Sequence, residues 1–316
     1  MIEYIRVMNE FLSEPEEIKV YGVSDTPANG LWLVKMDNIG EIPATINTTD
    51  YAIADGSFRN TNRVSKRNIT MKFRLVESFA DKVSQNPKNI EQSRLRLYRM
   101  FPYKSEIILT IKTDTSEHAK LINGYVESVE PDVFSNKETV TVSLICPDPY
   151  FIMHKEIAVG RGFDVNYSGS SSTGLVLNID CGVLDNNKDF SIEAVNGTHN
   201  TELFFNMTKV KELIGQSSVH GYRLYVSSEL GNKYTKMIGP GTDYINVMSA
   251  MGIGPFGWPY LYQGTNTILV KVDGSPISDS GLPEEDIEVI TDDTEKPSGF
   301  DNNEIIVKFK ERYGGI

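Results

Sequence analysis

The feature that most constrains the fold of this chain is an alternation of apolar and polar residues that recurs in many short runs. In NITMKFRL, at 68–75, apolar residues occupy every second position from Ile69 to Leu75. A period of two places those side chains on one face of a strand. The same alternation recurs in KSEIILTIK at 104–112 and ETVTVSLIC at 138–146. These runs predict half-buried antiparallel strands in the first half of the chain.

One segment of the first half is predicted to be a helix instead. NIEQSRLRLYRMF, at 89–101, begins with Asn89 and has Gln92 three places later, the arrangement of a capping box. Pro102 follows the run and ends it. We expect an amphipathic helix that packs one face on a core and exposes a basic flank.

A proline pair near the midpoint predicts a domain boundary. In SLICPDPYF, at 143–151, Pro147 and Pro149 lack the N–H group that a strand ladder needs, so the strand must leave its sheet here. A chain of 316 residues also exceeds the usual size for one core. We therefore expect one domain at 1–150 and a second at 151–316.

The second half repeats the strand alternation without a convincing long helix. LVLNID at 175–180 and YRLYV at 222–226 alternate, and turn dipeptides such as Asn196-Gly197 and Gly231-Asn232 separate such runs. Many short strands with regular turns favour a sandwich or jelly roll. The expected fold class is mainly β, with an all-β second domain.

The net charge of −12 is concentrated in one segment. Residues 273–304 carry eleven acids and one lysine, a net −10, which leaves about −2 for the remaining chain. The acidic residues do not occupy the alternating positions that supply calcium ligands in an EF-hand loop. This favours a solvated insertion over a calcium site.

Other features argue for a cytoplasmically made protein. No run approaches the roughly 18 apolar residues of a membrane span, and the first residues carry acids where a signal peptide carries basic residues. Cys146 and Cys181 lie on alternating runs, so we expect buried thiols and no disulfide.

Motifs for catalysis and cofactor binding are absent. The sequence lacks a Gly-x-Ser-x-Gly elbow, a P-loop, a dinucleotide fingerprint and a His-Glu-x-x-His pair. Glu284 and Glu285 are adjacent rather than opposed, unlike the carboxylates of a glycosidase. We expect no enzyme activity, no cofactor and no metal site.

An aromatic row in the second half has two interpretations. FGWPYLYQG, at 256–264, places Trp258, Tyr260 and Tyr262 two apart, and hence on one face of an extended segment. Such a row can stack on saccharide rings. The alternative is packing at the rim of the core, where large aromatic residues are usually buried.

Several longer stretches, taken in order, resemble the phage distal tail proteins, the baseplate hubs of long-tailed phages. The stretches in the first half are DGSFRNTNRVSKRNITMKFRL at 55–75, FPYKSEIILTI at 101–111, INGYVESVEP at 122–131 and VTVSLICPDPYF. Those in the second half are YSGSSSTGLVLNID at 167–180, GYRLYVSSELGNKYTKM at 221–237, WPYLYQGTNTILV at 258–270 and the terminal IIVKFKERYGGI. The segment TKVKELIGQSSVH at 208–220 and the acidic segment depart from the pattern.

The resemblance implies a fold and an assembly. It implies an N-terminal β-rich domain with one helix, split-barrel or sandwich-like, that forms a hexameric ring continuing the tail tube. It also implies a galectin-like or carbohydrate-module-like sandwich projecting outwards. The expected partners are further copies of the chain, the major tail-tube protein and the tail-associated tip protein, with receptor-binding proteins or host saccharide at the outer domain. The expected location is the virion tail tip, and neither catalysis nor sequence-specific nucleic-acid binding is implied.

A cluster of basic residues is the candidate for ring or tube contacts. Arg59, Arg63, Lys66 and Arg67 precede a strand in a run that reads as a loop. A solvated basic loop is the alternative, because exposed ion pairs contribute little. The leading hypothesis for function is a structural hub of the tail tip, and its alternative is a carbohydrate-binding module that contacts host saccharide.

Overall fold

The computed structural model describes most of the chain. The described residues are 1–22, 30–42, 44–76, 88–132, 138–160, 164–197, 199–239, 244–254, 257–276, 287–290 and 305–316. They form two compact units: one contains residues 1–154 together with 313–316, and the other contains residues 155–312. Each unit has a hydrophobic core of its own.

Seven strands of the first unit close into a barrel. Neighbouring strands pair in the cyclic order β7, β1, β2, β3, β6, β9, β8 and back to β7. Closure depends on β8, whose first half pairs with β7 and whose second half pairs with β9. The strands are β1 (Ile2–Met8), β2 (Glu16–Val20), β3 (Leu31–Asp37), β4 (Ala44–Asp50), β5 (Ser57–Val64), β6 (Arg67–Leu75), β7 (Glu106–Thr113), β8 (Lys120–Asp132) and β9 (Thr139–Cys146).

The alternation in the sequence places one face of each barrel strand in the core. In β6 the residues Ile69, Met71 and Phe73 are fully buried, as the period of two predicts. The helix α1 (Lys88–Met100) begins one residue before the predicted start and packs Leu97 into the same core. Phe101, just after it, lies with its ring centroid 5.5 Å from that of Phe73.

The remaining two strands of this unit form a separate hairpin. Among the described residues, β4 and β5 pair only with each other, and they lie in the connection between the barrel strands β3 and β6. β9 ends at Cys146 directly before Pro147, and the first unit continues to residue 154. The next strand, β10 (Phe151–Gly160), begins after Pro149, and its first residues pair with β8.

The second unit contains two sheets. In one sheet β12 lies between β15 and β23, and β16 and then β17 continue beyond β15. In the other, the order is β11, β20, β13, β14, β18. The elements are β11 (Asp164–Tyr167), β12 (Thr173–Asp180), β13 (Phe190–Asn196), β14 (His199–Phe205), α2 (Met207–Ile214), β15 (Arg223–Glu229), β16 (Asn232–Ile238), β17 (Ile245–Asn246), β18 (Met251–Ile253), β19 (Tyr260–Leu261), β20 (Gly264–Val272), β21 (Ser275–Pro276), β22 (Ile287–Ile290) and β23 (Ile305–Tyr313).

Alternate residues of both sheets meet in one core, as in a sandwich. Leu175, Leu177 and Ile179 from β12 are fully buried, and they belong to the same cluster as Ile192 and Val270 from the other sheet. The prediction of a mainly β fold with a helix in its first part is therefore confirmed. The predicted acidic insertion lies mostly outside the described residues.

The expectation of an all-β second unit was wrong at one place. The segment at 208–220, which fitted no pattern, contains the helix α2. Asn206 caps its start by accepting a hydrogen bond from the Lys209 N–H at 2.9 Å, and Gly215, with a φ of 68°, ends it. Eight residues are too few for the helical period to stand out in the sequence.

Candidate functional site: an exposed hairpin and its buried arginine

Both faces of the hairpin of β4 and β5 carry a basic residue. In an antiparallel pair, residues opposite each other point to the same face, and the register of this pair shifts between Asn47 and Thr48. Arg63 lies opposite Thr45 and Phe58 opposite Thr49, so both share one face. Arg59 lies opposite Thr48 on the other face.

Both faces also expose apolar side chains. Ile46 and Val64 lie on the face of Arg59 and expose 59% and 37% of their surface, and Phe58 on the other face exposes 47%. At the tip, Tyr51 exposes 51% and its ring centroid lies 5.8 Å from that of Phe58. Exposed apolar side chains of this kind ordinarily mark a contact surface, because removing them from water is favourable.

Hydrogen bonds between polar side chains connect β4 to β5. The Asn47 amide donates to Thr61 Oγ1 at 3.0 Å, and the Asn60 amide donates to Thr49 Oγ1 at 2.6 Å. These bonds are exposed and contribute little net stability. A two-stranded hairpin outside a larger sheet is marginally stable in water, so this hairpin gains most from a surface that covers its exposed apolar side chains.

The basic cluster predicted from the sequence is split between this hairpin and the core of the unit. Arg59 and Arg63 are exposed on β5 rather than on a loop, and Lys66 is exposed in the short link to β6. Arg67, the first residue of β6, is only 4% exposed. The sequence interpretation of Arg67 as a ring or tube contact is therefore corrected, because its side chain points into its own unit.

Arg67 binds the backbone of three separate segments of the first unit. Its Nε donates to the carbonyl of Pro149 at 2.8 Å, and its Nη1 donates to those of Asn38 at 2.6 Å and Gly40 at 2.8 Å. Its Nη2 donates to the carbonyl of Gly314, in the last residues of the chain.

The guanidinium group also has an aromatic partner. Its central carbon lies 4.6 Å from the centroid of the Phe151 ring, which is fully buried. Burial lowers the pKa of Arg67 from its ordinary value, while the charges of Cys146 and Glu41 act in the opposite direction. The carbonyl groups take the place of water around the charge, so Arg67 has a structural role at the base of the hairpin.

The aromatic row of the second unit does not form a single exposed platform. Trp258 is partly buried and packs against the core of the sandwich. Lys233 Nζ lies 5.7 Å from its ring centroid and 5.4 Å from that of Tyr260. Tyr262 instead stacks on His199, with centroids 4.1 Å apart. Trp258 and Tyr260 therefore share Lys233, whereas Tyr262 has a different partner.

Sequence reasoning missed the hairpin although a signal for it was present. Asp55-Gly56 is a dipeptide typical of tight hairpins, and it lies between two runs rich in β-branched and aromatic residues. Gly56 has a φ of 100° and its carbonyl accepts from the Tyr51 N–H at 3.1 Å. The high content of asparagine and charge in these runs favoured a loop interpretation.

The described residues contain no group of three or more His, Cys, Asp or Glu side chains that could hold a metal ion. Within the same residues, no helix is both long enough and apolar enough to cross a membrane. Glu284 and Glu285 lie outside the described residues.

No protein-family model matches the sequence, and no curated protein matches it either. Solved structures do match. One is the SPP1 Dit (gp 19.1) protein, described as a paradigm of the hub adsorption apparatus in phages that infect Gram-positive bacteria. It has a TM-score of 0.57 and 12% sequence identity, with 98% of each chain covered.

Two further matches are chains of the phage P2 baseplate in its activated conformation. The one with Ca has a TM-score of 0.45 and 9% identity, with 100% of each chain covered. The one with Sr has a TM-score of 0.46 and 8% identity, with 99% of each chain covered. Over nearly its whole length, therefore, the chain has the fold of the SPP1 Dit hub protein.

Proposed function

We propose that this chain is a structural hub of a phage tail tip and that it assembles into a ring of six copies. The observation that carries the proposal is the likeness of fold to the SPP1 Dit protein, which extends over 98% of both chains and so includes both units. A match of both units, in order, supports a shared role better than a match of one common domain would.

As such a hub, the protein would sit at the virion tail tip between two neighbours. One face of the ring would meet the major tail-tube protein, and the opposite face would meet the tail-associated tip protein. The second unit would carry receptor-binding proteins. This role needs shape and contact surfaces, and it needs no catalytic group.

The hairpin of β4 and β5 is the surface that we assign to contacts between copies. The barrel is closed through β8, so the strands of that cycle present no open edge for pairing with another chain. The hairpin in contrast exposes Ile46, Phe58 and Val64 together with two arginines, distributed over its two faces. A neighbouring copy that packs against the hairpin would bury these apolar side chains, and repetition around a closed ring would leave no hairpin uncovered.

Light scattering on the purified full chain tests the assembly. We expect the wild type to have the mass of six copies, or of two stacked rings. A double change of Ile46→Asp and Phe58→Asp places one charge on each face of the hairpin, and we expect this variant to have the mass of one copy. Since both side chains are exposed, the variant should keep the circular dichroism spectrum and thermal midpoint of its fold.

Tyr103→Asp is the matched control, since Tyr103 is 69% exposed and lies on the same unit outside the hairpin. It should keep the mass of the wild type. A wild type that stays monomeric at every concentration, or a hairpin variant that keeps the mass of the ring, would contradict the assigned contact.

A further inference from the structure

The second unit has a cleft on the outward face of the sheet that contains β13, β14, β18 and β20. Its volume is about 560 Å³, which lies in the range of about 300–1,000 Å³ typical of small-ligand sites. The residues that the following argument uses are Ser191, Glu193, Glu202, Phe204, Gly252 and Lys271. All of them belong to strands, so the sheet fixes their positions.

The floor of the cleft is a connected polar group. Glu193 and Glu202 lie directly opposite each other on β13 and β14. Lys271 Nζ donates to Glu193 Oε1 at 2.5 Å, and Ser191 and Glu193 lie close enough to the Glu202 carboxyl group to affect its pKa. Glu193 is only 8% exposed, so its carboxylate is held in place by the residues around it. The floor therefore presents fixed hydrogen-bond donors and acceptors close together.

Charge on the floor is not fully balanced. Burial, and also the neighbouring charge of Glu193, raise the pKa of Glu202. The whole lining has four carboxylates and two lysines. An anionic ligand would meet repulsion here, whereas a neutral ligand with hydroxyl groups could donate to the carboxylates and accept from the lysine.

The exposed ring of Phe204 forms a wall of the cleft beside this polar floor. Phe204 is 47% exposed, which is unusual for a phenylalanine in the middle of a strand. Its neighbour across the strand pair is Gly252, and a Cβ at that glycine would be 3.9 Å from Phe204 Cβ. Gly254 lies two residues further along, where a Cβ would be 3.6 Å from Phe204 Cε2. These two glycines place no side chain of their own against the ring.

An apolar ring beside fixed carboxylates and an amine matches one class of ligand. A pyranose has a face of C–H groups that packs on an aromatic ring and a rim of hydroxyl groups that both donate and accept hydrogen bonds. We propose that this cleft binds a neutral saccharide, with Phe204 stacked on a sugar ring and with Glu193, Glu202 and Lys271 hydrogen-bonded to its hydroxyl groups. The site is distinct from the aromatic row of Trp258, Tyr260 and Tyr262, and it does not depend on ring assembly.

The test measures binding of the full chain to neutral oligosaccharides of glucose, galactose and N-acetylglucosamine, two to six units long. An array of these probes is screened first, and titration calorimetry follows on the strongest. We expect at least one probe to bind to the wild type. Phe204→Ala should weaken that binding at least tenfold, and Gly252→Leu should do the same by filling the space beside the ring. Both positions are exposed at the surface, so both variants should fold.

Two control variants locate the site. Tyr244→Ala removes an aromatic side chain that is 67% exposed on the same unit outside the cleft, and Trp258→Ala removes a ring of the aromatic row. Both should bind within twofold of the wild type. The proposal is overturned if no probe binds to the wild type at millimolar concentration, if binding survives both cleft variants, or if Trp258→Ala abolishes it while Phe204→Ala does not.

Discussion

Arg67 shows how one buried charge can organise a unit through backbone groups. Its guanidinium group donates to four backbone carbonyls, those of Asn38, Gly40, Pro149 and Gly314. The planar fork of arginine supplies donors in several directions at once, which lysine cannot do. The residue therefore fixes the relative positions of three segments, at 38–40, 149 and 314, that are far apart in the sequence.

Replacing Arg67 by Met should destabilise the first unit by about 3 kcal/mol or more, because the change leaves buried carbonyls without donors. Arg67→Lys should fall between this variant and the wild type. Arg63→Met is the control, since Arg63 is exposed, and its effect should stay within about 0.5 kcal/mol. Urea denaturation followed by circular dichroism measures all three. A change below 1 kcal/mol for Arg67→Met would show that water replaces the lost donors.

The two thiols should be inert in the folded protein. Cys146 and Cys181 are fully buried, and burial raises the pKa of each to about 12. Since the thiolate is the reactive form, neither should react with iodoacetamide at pH 8 until the chain is unfolded in guanidinium, where both should react. Mass spectrometry counts the added groups. Rapid labelling of the native protein would contradict the burial of these residues.

Glu202 should make stability depend on pH. A raised pKa means that the folded state binds this proton more tightly than the unfolded chain does. Its contribution to stability is therefore complete below the ordinary glutamate pKa and is lost as the pH rises through the raised value. Glutamine cannot ionise. The thermal midpoint of Glu202→Gln, relative to the wild type, should thus be higher at pH 7.5 than at pH 4.

The control for this comparison is Glu212→Gln, on the exposed side of α2, whose midpoint relative to the wild type should be the same at both pH values. The opposite result, a thermal midpoint of Glu202→Gln relative to the wild type that is lower at pH 7.5 than at pH 4, would contradict the prediction. It would show that Lys271 stabilises the ionised carboxylate more than burial and Glu193 destabilise it.

Among the elements, long alternating runs could be predicted from the sequence and short or exposed ones could not. β6 and β9 were predicted because half of their residues lie in a core, and this burial is what produces the alternation. β4 and β5 have no buried face, so the selection of apolar residues at every second position is weak there. The same reasoning explains why the exposed arginines were placed on a loop.

The strand β12 contains a glycine at a point of close backbone approach. An added Cβ at Gly174 would lie 2.5 Å from the carbonyl oxygen of Ser228 and 2.6 Å from the Cα of Glu229. Backbone atoms cannot turn aside as a flexible side chain can, so Gly174→Ala should destabilise the second unit by about 1–3 kcal/mol or more. Gly40→Ala, where the Cβ would meet no atom within 4 Å, should be nearly neutral. Thermal unfolding measures both, and equal midpoints for the two variants would contradict the close approach.

At the scale of the whole molecule, the order of elements was more predictable than the sites. The proline pair after β9 and the helix before Pro102 follow from backbone chemistry that no tertiary contact overrides. The closure of the barrel by β8 could not be predicted, because it depends on which distant strands pair. The Phe204 cleft was missed for the same reason, since its residues come from four strands that the sequence does not order.

The contacts of Arg67 also bear on how such chains diverge. A hydrogen bond to a backbone carbonyl does not use the side chain of the residue that carries the carbonyl. A position such as Gly40, where an added Cβ would meet no atom within 4 Å, can therefore change without losing its bond to Arg67. Contacts of this kind constrain the backbone more than the sequence, and this chain shares its fold with a protein to which it is only 12% identical.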